Sequence, residues 1–251
     1  MIGVKTLLTK IKRADRDYGL IEDGDVIAVG ISGGKDSTLL LYALDEYRKI
    51  SPKNFSVIGI HLNLNFGEQD FSVITSFFKE HNIPLYTVET DVAQRLESHK
   101  TEDGRVPCSL CSRFKKAGVI AEAKRQGSTK VAFAHHADDA VETLLLNLVY
   151  GGKVNTFEPK MLLSESKMTF IRPFVYIHES EIIANVEQLK LPVIKSGCPM
   201  DGHTQRESMK QLLAQLYEQY PQSKGNLLRA LHNPNQLKLW DPENHETFVK
   251  K

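Results

Sequence analysis

The chain has 251 residues, of which 41% are hydrophobic and 25% charged, and its formal net charge is +1 at pH 7. That balance belongs to folded globular proteins and excludes a disordered, collagenous or strongly polycationic chain. No apolar run reaches the ~20 residues that cross a bilayer. The first residues, Met1 to Leu8, lack the apolar core and cleavage site of an export signal, so a cytoplasmic protein without a membrane partner is expected. The three cysteines, Cys108, Cys111 and Cys198, are too few for a disulfide framework and point to metal or redox chemistry.

In chain order, residues 1–18 read as an amphipathic helix. Val26-Ile27-Ala28-Val29-Gly30-Ile31 is then an apolar, β-branched strand that stops abruptly at Ser32-Gly33-Gly34-Lys35-Asp36-Ser37, with a helix-like run, Thr38-Leu39-Leu40-Leu41-Tyr42, directly behind it. The paired glycines permit positive φ and close approach of the backbone to a ligand. Amides at the start of the helix then face an anion such as phosphate. Ser32 and Ser37 offer hydroxyl donors, Lys35 a charge, and Asp36 a carboxylate for a phosphate-bound magnesium. The spacing matches neither the Walker P-loop nor the dinucleotide-binding glycine loop.

Further on, strands are expected at 56–62, 84–89 and 130–135, and helices at 71–81, 110–126 and 138–150. Gly127 and the pair Gly151-Gly152 serve as helix stops. A short strand at 169–174, ended by Pro173, precedes a helix at 180–190 and a last short strand at 191–194. From Gln205 the pattern is helical, and the tail after Pro234 is expected to be loosely ordered. Repeated βα units with nearly continuous apolar strands imply a mainly parallel, doubly wound α/β sheet. Ligands collect at the carboxyl ends of such strands, which puts Ser32-Gly33-Gly34, His61-Leu62-Asn63 and Ala134-His135-His136 on one rim. Three basic clusters, Lys10-Ile11-Lys12-Arg13, Arg113-Phe114-Lys115-Lys116 and Lys124-Arg125, each read as a solvated helix face.

Cys108-Ser109-Leu110-Cys111 lies at a helix start, where two thiolates can converge on one metal and the helix N-terminus favours their charged form. Cys198 joins them at the rim if the strands run parallel. Four readings stay open: a three-cysteine iron–sulfur cluster with one open iron, a zinc site completed by His203 or water, a redox or persulfide-carrying pair, and inert cysteines. In His135-His136-Ala137-Asp138-Asp139, one aspartate caps the helix and the other reaches a magnesium ion or nucleotide. His135 is either a packed or a catalytic histidine, and His136 positions a substrate or donates to a developing negative charge.

Ser32–Ser37, Cys108-Ser109-Leu110-Cys111-Ser112-Arg113, His135–Asp139 with Glu142-Thr143, Ile171-Arg172-Pro173 and Cys198-Pro199 leading to Gln205-Arg206 together resemble one family. It is the tRNA 2-thiolation branch of the PP-loop ATP pyrophosphatases, the TtcA/TtuA group, and the similarity is nearest to the 2-thiocytidine synthetases. Ala134 and Ala137 depart from that pattern, which more often has Gly and Arg there. The resemblance implies a sheet of the adenine nucleotide alpha-hydrolase-like type. It divides the chain into an N-terminal helix at 1–20, an ATP-binding domain at 21–195 and a C-terminal helical segment and tail at 196–251.

It also implies a chemistry. ATP lies against His61, Asn63, His135 and Asp139 with its phosphates in the loop formed by Ser32, Gly33, Gly34, Lys35, Asp36 and Ser37, and magnesium sits on Asp36 and Asp139. Lys35 and Asp36 serve the adenylation of a C2 carbonyl, that of cytidine 32 of tRNA. Cys108, Cys111 and Cys198 hold a [4Fe-4S] cluster through which sulfur replaces the oxygen. Implied partners are tRNA, a sulfur donor (a cysteine desulfurase or free sulfide) and a second copy in a homodimer. A uridine or small-molecule substrate, and a cluster-free persulfide route, are the alternatives.

Overall fold

The computed structural model describes residues 3–64, 70–92, 96, 108–194 and 205–233, with the backbone alone at 108 and 109. In chain order its elements are α1 (Val4–Tyr18), β1 (Val26–Ile31), α2 (Lys35–Ile50), β2 (Ser56–Asn63), α3 (Ser72–Glu80), β3 (Leu85–Glu89) and α4 (Cys108–Arg125). They continue with β4 (Lys130–Ala132), α5 (Ala137–Gly151), β5 (Lys160–Leu163), β6 (Met168–Ile171), α6 (Glu179–Leu189), α7 (Gln205–Gln219) and α8 (Ser223–Leu231). The strands form one sheet in the order β3-β2-β1-β4-β6-β5, parallel throughout except for the β5–β6 pair.

The chain builds outward from β1 to β3 and then returns to place β4 on the other side of β1. That reversal opens a crevice at the carboxyl ends of β1 and β4, the usual ligand position in such sheets. Period-two alternation along β1 sends Ile27, Val29 and Ile31 into one apolar cluster, with Leu7, Ile11, Leu40, Phe78, Phe174 and Ile177. Ala28 faces the opposite cluster, with Ile60, Val119, Val131 and Phe170. On that second face Gly118 lets α4 lie close on β2, because a Cβ there would stand 2.8 Å from the Leu62 side chain. The close approach sets the depth of α4, and with it the position of the cysteine-bearing first turn.

Two segments differ from expectation. β5 was not foreseen, and it pairs antiparallel with β6 as a hairpin at the sheet edge. Residues 191–194 form no strand. Instead Ile194 N–H donates to Gly33 O at 2.9 Å, so this stretch runs along the glycine loop beyond the end of the sheet. Helices α7 and α8 pack on α5. Among the described residues no helix is long and apolar enough to cross a membrane.

Candidate active site

At the end of β1 the backbone turns through Gly33, whose φ of +87° lies in the left-handed region where a side chain is strained. The turn is held from within. Ser32 N–H donates to Ser37 Oγ at 3.1 Å, Gly34 N–H to Ser32 Oγ at 3.3 Å, and Ser37 Oγ–H to Gly34 O at 3.1 Å. These bonds fix the opening of α2 as a shallow cradle of amides and hydroxyls.

The cradle forms part of a cavity of about 650 Å³, lined by Ser32, Gly34, Asp36 and Ser37 on one side and by His61, Asn63, His135 and Asp139 along the rim. The expected rim residues of β1, β2 and β4 are therefore brought together. Gly33 and Lys35 do not line the cavity. Gly33 is buried against Phe71 and Ile194, and Lys35 points to Asp36 at 3.1 Å and to Glu179 at 3.0 Å. Burial pulls the Lys35 ammonium down, but Asp36 and Glu179 outweigh it and hold the group above the ordinary lysine value. Asp36 Oδ1 is buried with no hydrogen-bond partner, an orphan carboxylate oxygen in the cavity wall.

His61 is buried, lies between Phe71 and the strand, and stacks on the Phe71 ring at 3.5 Å between centroids. Its Nδ1 lies 3.0 Å from Ile31 O, a geometry that places the proton on Nδ1 and leaves Nε2 as an acceptor. Burial depresses its pKa. His135 is pushed down to about 3 by burial and by the charges of Arg172, Lys116 and Arg206, so it is neutral at physiological pH, and its buried Nδ1 has no partner. It packs against Phe157 at 5.1 Å.

Both aspartates at the start of α5 are structural caps. Asp139 Oδ2 accepts the His136 N–H at 2.9 Å and His136 Nδ1 accepts the Asp139 N–H at 3.4 Å, a reciprocal capping box. His136 is thus used up in the helix start and does not line the cavity. Asp139 still reaches the cavity, with Oδ1 3.8 Å from Arg206. Asp138 caps a different helix: its Oδ2 accepts the Glu179 N–H at 2.7 Å at the start of α6, and its carboxylate also pairs with His178 and Lys224.

Of the cysteines, Cys111 sits on the first turn of α4, buried with Val92, Leu96 and Phe114. The backbone of Cys108 begins the same helix, while its side chain and all of Cys198 lie outside the described residues. Immediately after Cys111, Ser112, Lys115 and Lys116 line the same cavity as the glycine loop. This corrects the reading of Lys115 and Lys116 as a solvated face. Lys124 and Arg125 do lie on one, and Arg125 pairs with Glu122 at 2.8 Å. Among the described residues no three potential ligands gather into a metal-binding group.

Residues 5–216 match the PP-loop domain family. The tRNA-cytidine(32) 2-sulfurtransferase of Acinetobacter baumannii strain ACICU is 35% identical over 237 residues, 93% of this chain and 78% of that protein. Its counterpart in Geobacter sulfurreducens is 37% identical over 244 residues, covering 96% and 95%. The chain belongs to the PP-loop family. A solved structure, the U34-tRNA thiolase NcsA from Methanococcus maripaludis with its [4Fe-4S] cluster, superposes with a TM-score of 0.71 at 22% identity, covering 94% of this chain and 82% of that one, which shows a shared fold.

In PP-loop terms, the glycine turn, the orphan oxygen of Asp36 and the open cavity beside them fit a nucleotide polyphosphate with a divalent cation. Sequence reasoning missed three contributors to this PP-loop site. Phe71 backs His61 and Gly33, Glu179 holds Lys35, and Lys116 faces inward. Only Glu179 left a local trace, in the His178-Glu179-Ser180-Glu181 helix start, where Glu181 Oε2 accepts the His178 N–H at 2.9 Å.

Proposed function

We propose that this PP-loop protein is an ATP-dependent tRNA sulfurtransferase that adenylates the C2 carbonyl of a cytidine, at position 32 of tRNA, and replaces that oxygen with sulfur. One observation carries the reading: the glycine loop and the turn of α4 that follows Cys111 open into the same cavity. A base activated at the loop therefore lies beside the helix that bears the cysteine pair. The names of the 35–37% identical relatives supply the nucleoside.

The loop amides and the hydroxyls of Ser32 and Ser37 receive the phosphates, and Lys35 neutralises charge that develops as pyrophosphate leaves. Asp36, through its unpartnered Oδ1, and Asp139 hold magnesium, which binds proteins through one or two carboxylates and completes its shell with phosphate and water. The backbone of β2 at His61 and Asn63 receives the adenine. Neutral His135 offers hydrogen bonds without adding charge.

Cys108, Cys111 and Cys198 are the ligands of a [4Fe-4S] cluster. Cys111 is buried among apolar side chains, one residue before Ser112, which lines the cavity. Cys198 follows Ile194 by four residues in sequence, and Ile194 N–H is bonded to Gly33 O. Held by three cysteines, such a cluster would leave one iron open to an exogenous ligand such as sulfide. The NcsA thiolase, of the same fold, carries a [4Fe-4S] cluster.

Nucleoside mass spectrometry of tRNA from a strain lacking the gene should show loss of 2-thiocytidine; loss of a 2-thiouridine instead overturns the substrate assignment. Protein purified without oxygen should contain about four irons per chain. Cys108→Ala, Cys111→Ala or Cys198→Ala should each lose that iron and all thiolation while ATP still binds. An iron-free preparation with full activity would replace the cluster with a persulfide route.

A further inference from the structure

Glu179 makes a connection that neither the loop nor the cysteines account for. Its Oε1 lies 3.0 Å from Lys35 Nζ and its Oε2 2.7 Å from Lys210 Nζ on α7. Its own N–H is bound to Asp138 Oδ2 at 2.7 Å, which fixes the main chain from which the carboxylate extends. A side chain anchored at its backbone and shared between two ammonium groups is confined to conformers that satisfy both. Lys35 is likewise shared, between Glu179 and Asp36. Asp36 and Glu179 both hold Lys35, so a phosphate arriving in the loop competes with them for its ammonium.

We propose that Glu179 is a positioning residue for Lys35: it restrains the ammonium beside the glycine loop and aims it at the phosphates during adenylation, with Lys210 holding the carboxylate in place. The proposal rests on the loop's reading as a nucleotide site. Glu179 touches no reacting atom and acts through Lys35 alone. Removing its charge frees Lys35 to meet the ground-state phosphates and leaves it poorly aimed for the reaction.

Glu179→Gln retains the size of the side chain and the backbone bond to Asp138. In the variant the Kd for magnesium–ATP should tighten about threefold, the scale of one partly exposed ion pair. The kcat for pyrophosphate release with tRNA should fall about tenfold. A loosened fold would weaken binding and turnover together. In a Lys35→Met background the same substitution should alter neither quantity. Equal changes with and without Lys35, or weaker ATP binding, overturn the proposal.

Lys210→Met, on the half-exposed side of α7, tests the same link without disturbing the start of α6. Its kcat should drop about threefold with ATP affinity unchanged, and a wild-type kcat overturns the role given to Lys210. The binding measurements need no turnover. A protein that binds ATP yet thiolates no cytidine defeats the substrate reading while the Kd values still decide the role of Glu179.

Discussion

At Gly33 one missing side chain satisfies two demands. The backbone adopts φ +87°, and a Cβ built there would stand 3.2 Å from the Phe71 ring and 3.5 Å from Ile194. Gly33→Ala therefore combines left-handed strain with a packing conflict, for a cost of about 1–2 kcal/mol in stability. Calorimetric titration should show ATP affinity at least about tenfold weaker, since the turn that presents the amides is distorted. Wild-type affinity in that variant would remove the turn from the nucleotide site. This part of the site was legible in the sequence because the backbone requirement writes itself as glycine. Lys116 and Glu179 were not: a lysine or glutamate on a helix looks the same whether it faces solvent or a cavity, and only the packing of α4 and α6 decides.

Helix starts carry the same lesson at the scale of elements. Asp138 and Asp139 are adjacent, yet Asp139 caps its own helix and Asp138 caps α6, forty-one residues away in sequence. Asp138 also ties α5 to α8 through Lys224. Burial would raise its carboxyl pKa, but the His178 ring, the Glu179 N–H and Lys224 prevail and hold it well below the usual carboxylate range. Asp138→Ala should cost about 2–3 kcal/mol in urea unfolding at pH 7. The depressed carboxyl stabilises the fold fully above the unfolded-state value of about 4 and loses that contribution as pH falls below it. The gap between wild type and variant should therefore narrow in acid, and a gap that widens there would reverse the assignment.

Strand β5 escaped the sequence for a related reason. Its hairpin turn places Lys167 at φ +54°, where glycine or asparagine would have announced a turn. The run at 191–194 has strand composition, but its hydrogen bonding is taken by the loop rather than by a neighbouring strand. The first misreading comes from an unannounced turn between neighbouring strands, the second from a backbone partner distant in sequence.

Across the whole molecule, the βα rhythm disclosed a parallel sheet with a rim of ligand-facing turns, while the order of its strands had no local signature. The sequence reading assigns residues 1–20 to an N-terminal helix. In the folded chain Leu7, Leu8, Ile11 and Ala14 of α1 are buried in the cluster shared by β1, α2 and Phe174. Full burial of a large aliphatic side chain contributes roughly 1.5–3 kcal/mol, and a whole domain has only about 5–15 kcal/mol in reserve. Deleting residues 1–20 should thus abolish the cooperative near-ultraviolet circular dichroism transition altogether. A truncated protein that still melts cooperatively would make α1 an appendage after all.

The bond from Ile194 to Gly33 has a counterpart at the far end of the same segment. There Arg206, on the first turn of α7, reaches Glu142 Oε2 at 3.1 Å and Thr143 Oγ1 at 3.2 Å on α5. The described residues on either side of the stretch that includes Cys198 are thus tied down, Ile194 to the glycine loop and Arg206 to α5. Transplanting that stretch from a relative means bringing both moorings along, or the graft will attach at one end and drift at the other.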